Sequence, residues 1–242
     1  MRQLRRLANP AQALVLSGFF KTAPGQYGEG DRFLGIKVPA LRALLARLPD
    51  LPLDTVDALL KSPFHEARFL ALASLVRSYG RAQPSRRKTI FRFYLDRATL
   101  ANNWDLVDAS APGIVGRHLP LGKGRSFLSR LARSACLWER RIAMVSTLDH
   151  IRRGNPSNAL WLAETFLDDP EDLMHKAAGW MLREAGKRFP QALGDFLALH
   201  APAMPRTMLR YSIERLPPEQ RRRWMLLHRA PRTPSTMPKA QS

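Results

Sequence analysis

Apolar residues in this chain recur at three- and four-residue intervals almost from end to end, and alternating strand-like runs are nearly absent. That period puts the apolar side chains on one stripe of a helix, so the fold read from it is all-α. The clearest stripe lies in 172–187, where Leu173, Met174, Ala177, Trp180, Met181 and Ala185 share a face behind Pro170. Proline is tolerated at a helix start, where its missing N–H costs nothing. Two more long helices are expected, over 138–151 (Trp138, Ile142, Val145, Leu148, with a stop at Gly154) and over 64–79 (stopped by Gly80). Shorter ones fit 39–47, 54–61, 85–97, 125–133, 158–167, 190–199, 205–215 and 218–227.

Helices of this length on short connections suggest antiparallel pairs stacked in a row. No clean repeat supports the idea. Only a faint echo joins 62–68, 137–141 and 172–176, each opening a long helix with an early polar or basic residue. The glycines of 22–32 (Gly25, Gly28, Gly30) mark a loop. Residues 1–228 are read as one domain, and the proline-rich basic segment 229–242 as a disordered tail.

Charge narrows the function. Lys and Arg total 39 against 20 Asp and Glu, a formal net charge of +19. Such an imbalance costs self-repulsion on folding and suits a polyanionic partner. Nucleic acid comes first, an anionic membrane surface second. The one cysteine, Cys136, allows no intramolecular disulfide and no cysteine-based zinc site, which suits a reducing, cytosolic compartment. The apolar stretch 11–20 is short and interrupted, so neither a signal peptide nor a membrane anchor is expected.

The stretch Asn102-Asn103-Trp104-Asp105-Leu106-Val107-Asp108 is the most informative. Trp104 and Asp108 are four apart and share a helix face, with Asp105 off it. A ring beside a carboxylate can stabilise a developing sugar cation, the carboxylate by charge and the ring by its negative face. The same spacing fits a core tryptophan with a capping or arginine-paired aspartate. Further on, Trp138-Glu139-Arg140-Arg141 and the helical trio Lys176, Trp180 and Arg183 mix cations with aromatics, as a surface touching phosphates and sugars would. Arg206 and Arg210, four apart at a helix start, are further phosphate ligands. Each also fits an ordinary solvated basic face. Metal and nucleotide chemistries fail. His65, His118, His150, His175, His200 and His228 show no metal spacing, and no P-loop or dinucleotide fingerprint occurs.

Four stretches in order, Phe33-Leu34-Gly35-Ile36-Lys37-Val38-Pro39, Asn103 to Asp108, Trp138 to Ala143 and Lys176 to Glu184, resemble the DNA alkylation repair family of HEAT-like alkylpurine DNA glycosylases. The resemblance covers roughly 19–224. It implies a right-handed superhelical α-solenoid, C-shaped, with a basic concave face for double-stranded DNA. It implies excision of purines alkylated at N3 or N7, without obligatory base flipping, without metal or other cofactor, by a monomer in the bacterial cytoplasm at the nucleoid. Residue by residue, Asp108 matches the catalytic carboxylate, and Trp104 and Trp180 the aromatics that pack on the lesion's deoxyribose. Arg141 matches an arginine at the DNA backbone, with Arg140 the alternative one register away. Phe19 falls where the typical member has a tyrosine, and the 22–32 loop is longer. The family includes members that bind damaged or branched DNA without excising bases, so a non-catalytic DNA-binding protein is the second reading. A protein-interaction solenoid is a distant third.

Overall fold

The computed structural model describes residues 1–227. Among these it is all-helical, without a strand. The elements are α1 (Arg2–Arg6), α2 (Pro10–Phe19), α3 (Val38–Arg47), α4 (Leu53–Leu60), α5 (His65–Arg81), α6 (Pro84–Leu95), α7 (Trp104–Ala111), α8 (Arg125–Ala132), α9 (Leu137–Arg152), α10 (Ser157–Thr165), α11 (Asp172–Gly186), α12 (Pro190–His200), α13 (Arg206–Ser212) and α14 (Pro218–Leu227). Prolines open α2, α6, α12 and α14, where φ is already helical and no amide is wasted. No helix of the described residues is long and apolar enough to cross a membrane. The 229–242 tail lies outside the described residues.

The helices depart from the sequence expectation in ways that packing explains. Gly80 does not stop α5, which continues to Arg81. A helical glycine costs only about 1 kcal/mol against alanine, and α5 is buried on several sides, at Phe69, Leu70, Leu72, Leu75 and Tyr79. The helix expected to reach 215 ends at Ser212. And α1 and α2, absent from the expected helices, carry almost no buried stripe to betray them: α1 buries Leu4 alone and α2 buries nothing, with Leu14 and Val15 exposed.

Contacts divide the chain into two compact units, Met1–Asn158 and the residues from Ala159 onward. The core of the first is built on α5, α7 and α9, through Leu70, Leu75, Leu106, Val107, Ile142 and Val145, each 4% exposed or less. After Ala111 the chain leaves α-geometry for a π-helical turn, Pro112–Gly116. Pro112 has no N–H to continue the ladder, which favours such a break. At Gly116 the backbone lies against α9: a Cβ there would sit 2.2 Å from the Ser146 carbonyl oxygen. This close approach lets the π-helical turn pack directly on α9.

In the second unit α11 packs against α12 and α13. Met174, Ala177, Met181, Leu182, Met208 and Leu209 are fully buried. Gly179 is a packing glycine, since a Cβ would stand 2.6 Å from the Met208 carbonyl oxygen and 2.5 Å from the Tyr211 Cβ.

Candidate active site

The first unit holds a cleft of about 480 Å³ whose wall is mostly apolar. Phe19 and Phe20 reach it from the end of α2, Phe33, Ile36 and Val38 from the following loop and the start of α3, His65 and Phe69 from α5, and Trp104, Asp105 and Asp108 from α7. The rings form one contiguous cluster. Trp104 lies on Phe20 at 5.3 Å and 22°, Phe20 on Phe33 at 5.1 Å and 17°, and Phe33 on His65 at 4.7 Å and 22°. Phe19, 60% exposed, meets Trp104 edge-on at 5.9 Å. Offset stacks and edge contacts of this kind add stability beyond the area they bury. The exposed Lys37 and Arg42 line the same cleft.

A glycine holds this wall in place. Gly35 has φ +83, and a Cβ would come within 2.0 Å of the Asn9 carbonyl oxygen. Only glycine takes that conformation without strain, and only glycine lets the loop cross the start of α2, where the Asn9 amide donates to the Leu34 carbonyl at 2.8 Å. The Glu66 carboxylate, 1% exposed, accepts from the amides of Leu34, Gly35 and Ile36 at 2.8–3.1 Å. Those amides satisfy a buried charge that would otherwise be costly. The quoted Phe33–Pro39 motif is thus the frame of the cleft.

Asp108 is met from across the unit by Arg141 in a bidentate pair: Nε donates to Oδ1 and Nη2 to Oδ2, both at 2.9 Å. The Arg141 side chain is only 5% exposed. Burial pushes the Asp108 carboxyl above its ordinary 3.8, against the opposing pull of the guanidinium, and the neighbouring charge of Asp105 pushes the same way. Arg140 turns elsewhere, donating to the carbonyls of Ser134 and Ala135 at 3.0 and 3.1 Å.

Asp105, read from sequence as lying off the Trp104–Asp108 face, also lines the cleft. The cleft meets a broad face of α7, Trp104, Asp105, Asp108 and Ala109, wider than the Trp104–Asp108 stripe. Asp105 is tied to a buried cluster that the sequence reading missed. His65, 3% exposed, lies between two carboxylates, Nδ1 donating to Asp31 and Nε2 to Asp105, each at 2.9 Å. Burial disfavours the imidazolium, but these two acceptors outweigh it and raise its pKa to about 9. Asp31 also accepts from Arg68, from Asn103 at 3.2 Å and from Asn102 at 3.4 Å. Burial opposes its charge, yet His65 and Arg68 hold its carboxyl below 3.8. Asn103, fully buried, also caps α7 through the Trp104 amide. A histidine, an arginine and two asparagines within the quoted stretches were visible, but nothing local paired them with Asp31.

This arrangement accompanies a match over residues 1–216 to the model of a family described as DNA alkylation repair enzyme. The chain belongs to the DNA alkylation repair enzyme family. A solved structure described as a predicted DNA alkylation repair enzyme from Enterococcus faecalis is similar in fold, with a TM-score of 0.67 at 21% identity over 86% of this chain and 96% of the other. No curated protein matches the chain.

The remaining site residues expected from the sequence belong to the second unit. Trp180 on α11 is half-buried and donates through Nε1 to Glu184 at 3.3 Å. Lys176 pairs with Asp172 at 2.8 Å, and Arg183 with Glu214. Arg206 and Arg210, both exposed, line a cleft of about 570 Å³ with Arg221, Arg222 and Glu214. Among the described residues no group of three or more His, Cys, Asp or Glu could hold a metal ion.

Proposed function

We propose that this protein is a DNA glycosylase that removes purines alkylated at N3 or N7 from double-stranded DNA, acting as a monomer in the bacterial cytoplasm, at the nucleoid. The observation that carries the reading is the cleft itself, where the Trp104 ring and the Asp108 carboxylate stand together behind a rim bearing Lys37 and Arg42. An N-alkylated purine is already cationic and leaves with the bond's electron pair as a neutral base, so no acid is needed to protonate it. What remains is to stabilise positive charge on the deoxyribose and to admit water. A carboxylate and the face of an indole do the first. Fixed in place by Arg141, Asp108 needs no reorganisation as charge develops, and the apolar wall strengthens its field. Trp180 is proposed as a second ring on the sugar. Arg141, Arg140, Lys176, Arg183, Arg206, Arg210 and Phe19 are proposed to contact the DNA, the cations chiefly at phosphates.

The second reading is a DNA-binding protein without excision. It draws on two observations: both Asp108 oxygens are already engaged by Arg141, and Phe19 offers no hydroxyl. A duplex carrying a single 7-methylguanine separates the two. Base release by the wild type but not by Asp108→Asn supports the glycosylase. Tight, salt-sensitive binding with no release by either protein supports the second reading.

A further inference from the structure

We propose that Asp105 is a second carboxylate acting on the positive charge of the substrate, and that the buried Asp31–His65 pair is the device that positions it. The proposal rests on the glycosylase reading of the cleft and adds to it a residue and a support that the family match does not assign.

The geometry argues for it in three ways. Asp105 lines the same cleft as Trp104 and Asp108. It is presented by the first turn of α7, where the dipole of a helix start favours negative charge. And its two oxygens are unequal: Oδ2 accepts from His65 at 2.9 Å, whereas no protein donor reaches Oδ1, which is buried. A buried carboxylate oxygen without a donor is costly, and positive charge held nearby in the cleft would offset that cost through space. Asp108 differs, since Arg141 engages both of its oxygens. Of these two carboxylates, Asp105 is therefore the less fully hydrogen-bonded.

The support is elaborate for a purely structural pair. His65 donates to Asp105 with one nitrogen and to Asp31 with the other, and Asp31 is itself held by Arg68, Asn102 and Asn103. The ring packs against Phe33 at 4.7 Å, stacked, and against Phe20 at 4.8 Å, tilted. Rotation of His65 would break both hydrogen bonds and both ring contacts, so Asp105 Oδ2 has a fixed partner. Groups that act on a transition state need this kind of outer support, because misplacement by a fraction of an ångström weakens them.

The test compares binding to two duplexes, one carrying a cationic pyrrolidine in place of the lesion's sugar and the other a neutral tetrahydrofuran. They differ in charge and little in shape. Wild type is expected to prefer the pyrrolidine duplex. Asp105→Asn, which still accepts from His65, is expected to lose at least tenfold of that preference while binding the tetrahydrofuran duplex within threefold of wild type. A merely structural role would weaken both duplexes alike or neither, and either result overturns the proposal. If Asp105→Asn does not fold, Asp105→Ser is measured against the same two outcomes. Failure of the glycosylase reading looks different: the wild type itself shows no preference for the pyrrolidine duplex and releases no 7-methylguanine.

Discussion

Arg141 and Asp108 meet as a parallel two-bond pair from helices α9 and α7, with both N–O distances at 2.9 Å. This pairing sets the terms for mutating either residue. Removing one partner of a buried pair leaves an uncompensated charge and typically costs about 3–5 kcal/mol. Arg141→Ala should therefore lower the melting temperature markedly, and activity lost with it would say little about chemistry. Arg141→Lys keeps the charge but not the fork. It should stay folded, with base release from 7-methylguanine DNA at least about tenfold slower. Melting curves alongside single-turnover release check this. Release by Arg141→Lys at the wild-type rate would show that Asp108 does not need the fork.

Asp108→Asn keeps an acceptor for Arg141 but removes the charge that the reaction would use. Single-turnover base release should fall by about 10²-fold or more while duplex affinity stays within a few-fold. On the acid side, a carboxyl held above 3.8 takes up a proton earlier than an ordinary one. Wild-type release should thus decline as pH falls, beginning above the usual carboxylate range. A release rate indifferent to pH down to 4 would remove Asp108 from the mechanism.

The His65 cluster makes a stability prediction. The folded-state pKa of His65 is raised from 6.5 to about 9, so folding binds a proton more tightly. The stabilisation is fully present below 6.5 and is lost as pH rises through 9, by up to about 3 kcal/mol. Asp31 works in the opposite direction: its carboxyl is held below 3.8, so its contribution is present above that value and is lost as pH falls through its folded pKa. The melting temperature should hold between about 4 and 6.5 and fall towards pH 9.5. The variant His65→Asn should be less stable at pH 6 and lack most of the alkaline decline. An equally steep decline in that variant would assign it to other groups.

The fold class was legible because helical periodicity is local, and the residues that make it are three and four apart. Trp104 and Asp108 were legible for the same reason. Their partners were not: Arg141 lies 33 residues from Asp108, and His65 lies 34 and 40 residues from its two aspartates. No pattern along the chain reports such pairings, which are decided by how α5, α7 and α9 stack. Asp105 was misplaced for a subtler reason. A four-residue spacing marks a narrow stripe, whereas the cleft also takes in the adjoining positions Asp105 and Ala109. Gly35 stood inside a quoted motif, but its reason, a positive φ against the Asn9 carbonyl, needed the crossing of two segments.

Gly35→Ala tests that crossing. A left-handed conformation costs a residue with a Cβ about 1–2 kcal/mol, and here the Cβ also meets backbone at 2.0 Å, which cannot rotate away. The expected loss of stability is at least about 2 kcal/mol by denaturant titration. The damage should reach the cleft, because displacing the loop displaces Phe33 and, through it, Phe20 and Trp104. A variant as stable as wild type would mean that α2 can shift freely and that Gly35 does not frame the site.

Phe19 separates stability from function. It is 60% exposed and its ring contacts are with Phe20 at 5.1 Å and Trp104 at 5.9 Å. Little apolar area would be lost with its side chain, so Phe19→Ala should cost less than about 1 kcal/mol. Under the proposed function the same ring stands at the mouth of the cleft and packs against the DNA at the lesion. Phe19→Ala should then slow base release several-fold with the fold intact, whereas Phe19→Tyr, which keeps the ring and adds a hydroxyl, should be neutral or faster. If Phe19→Ala is as active as wild type, the exposed ring is not part of the substrate contact, and the end of α2 serves only to cover Trp104.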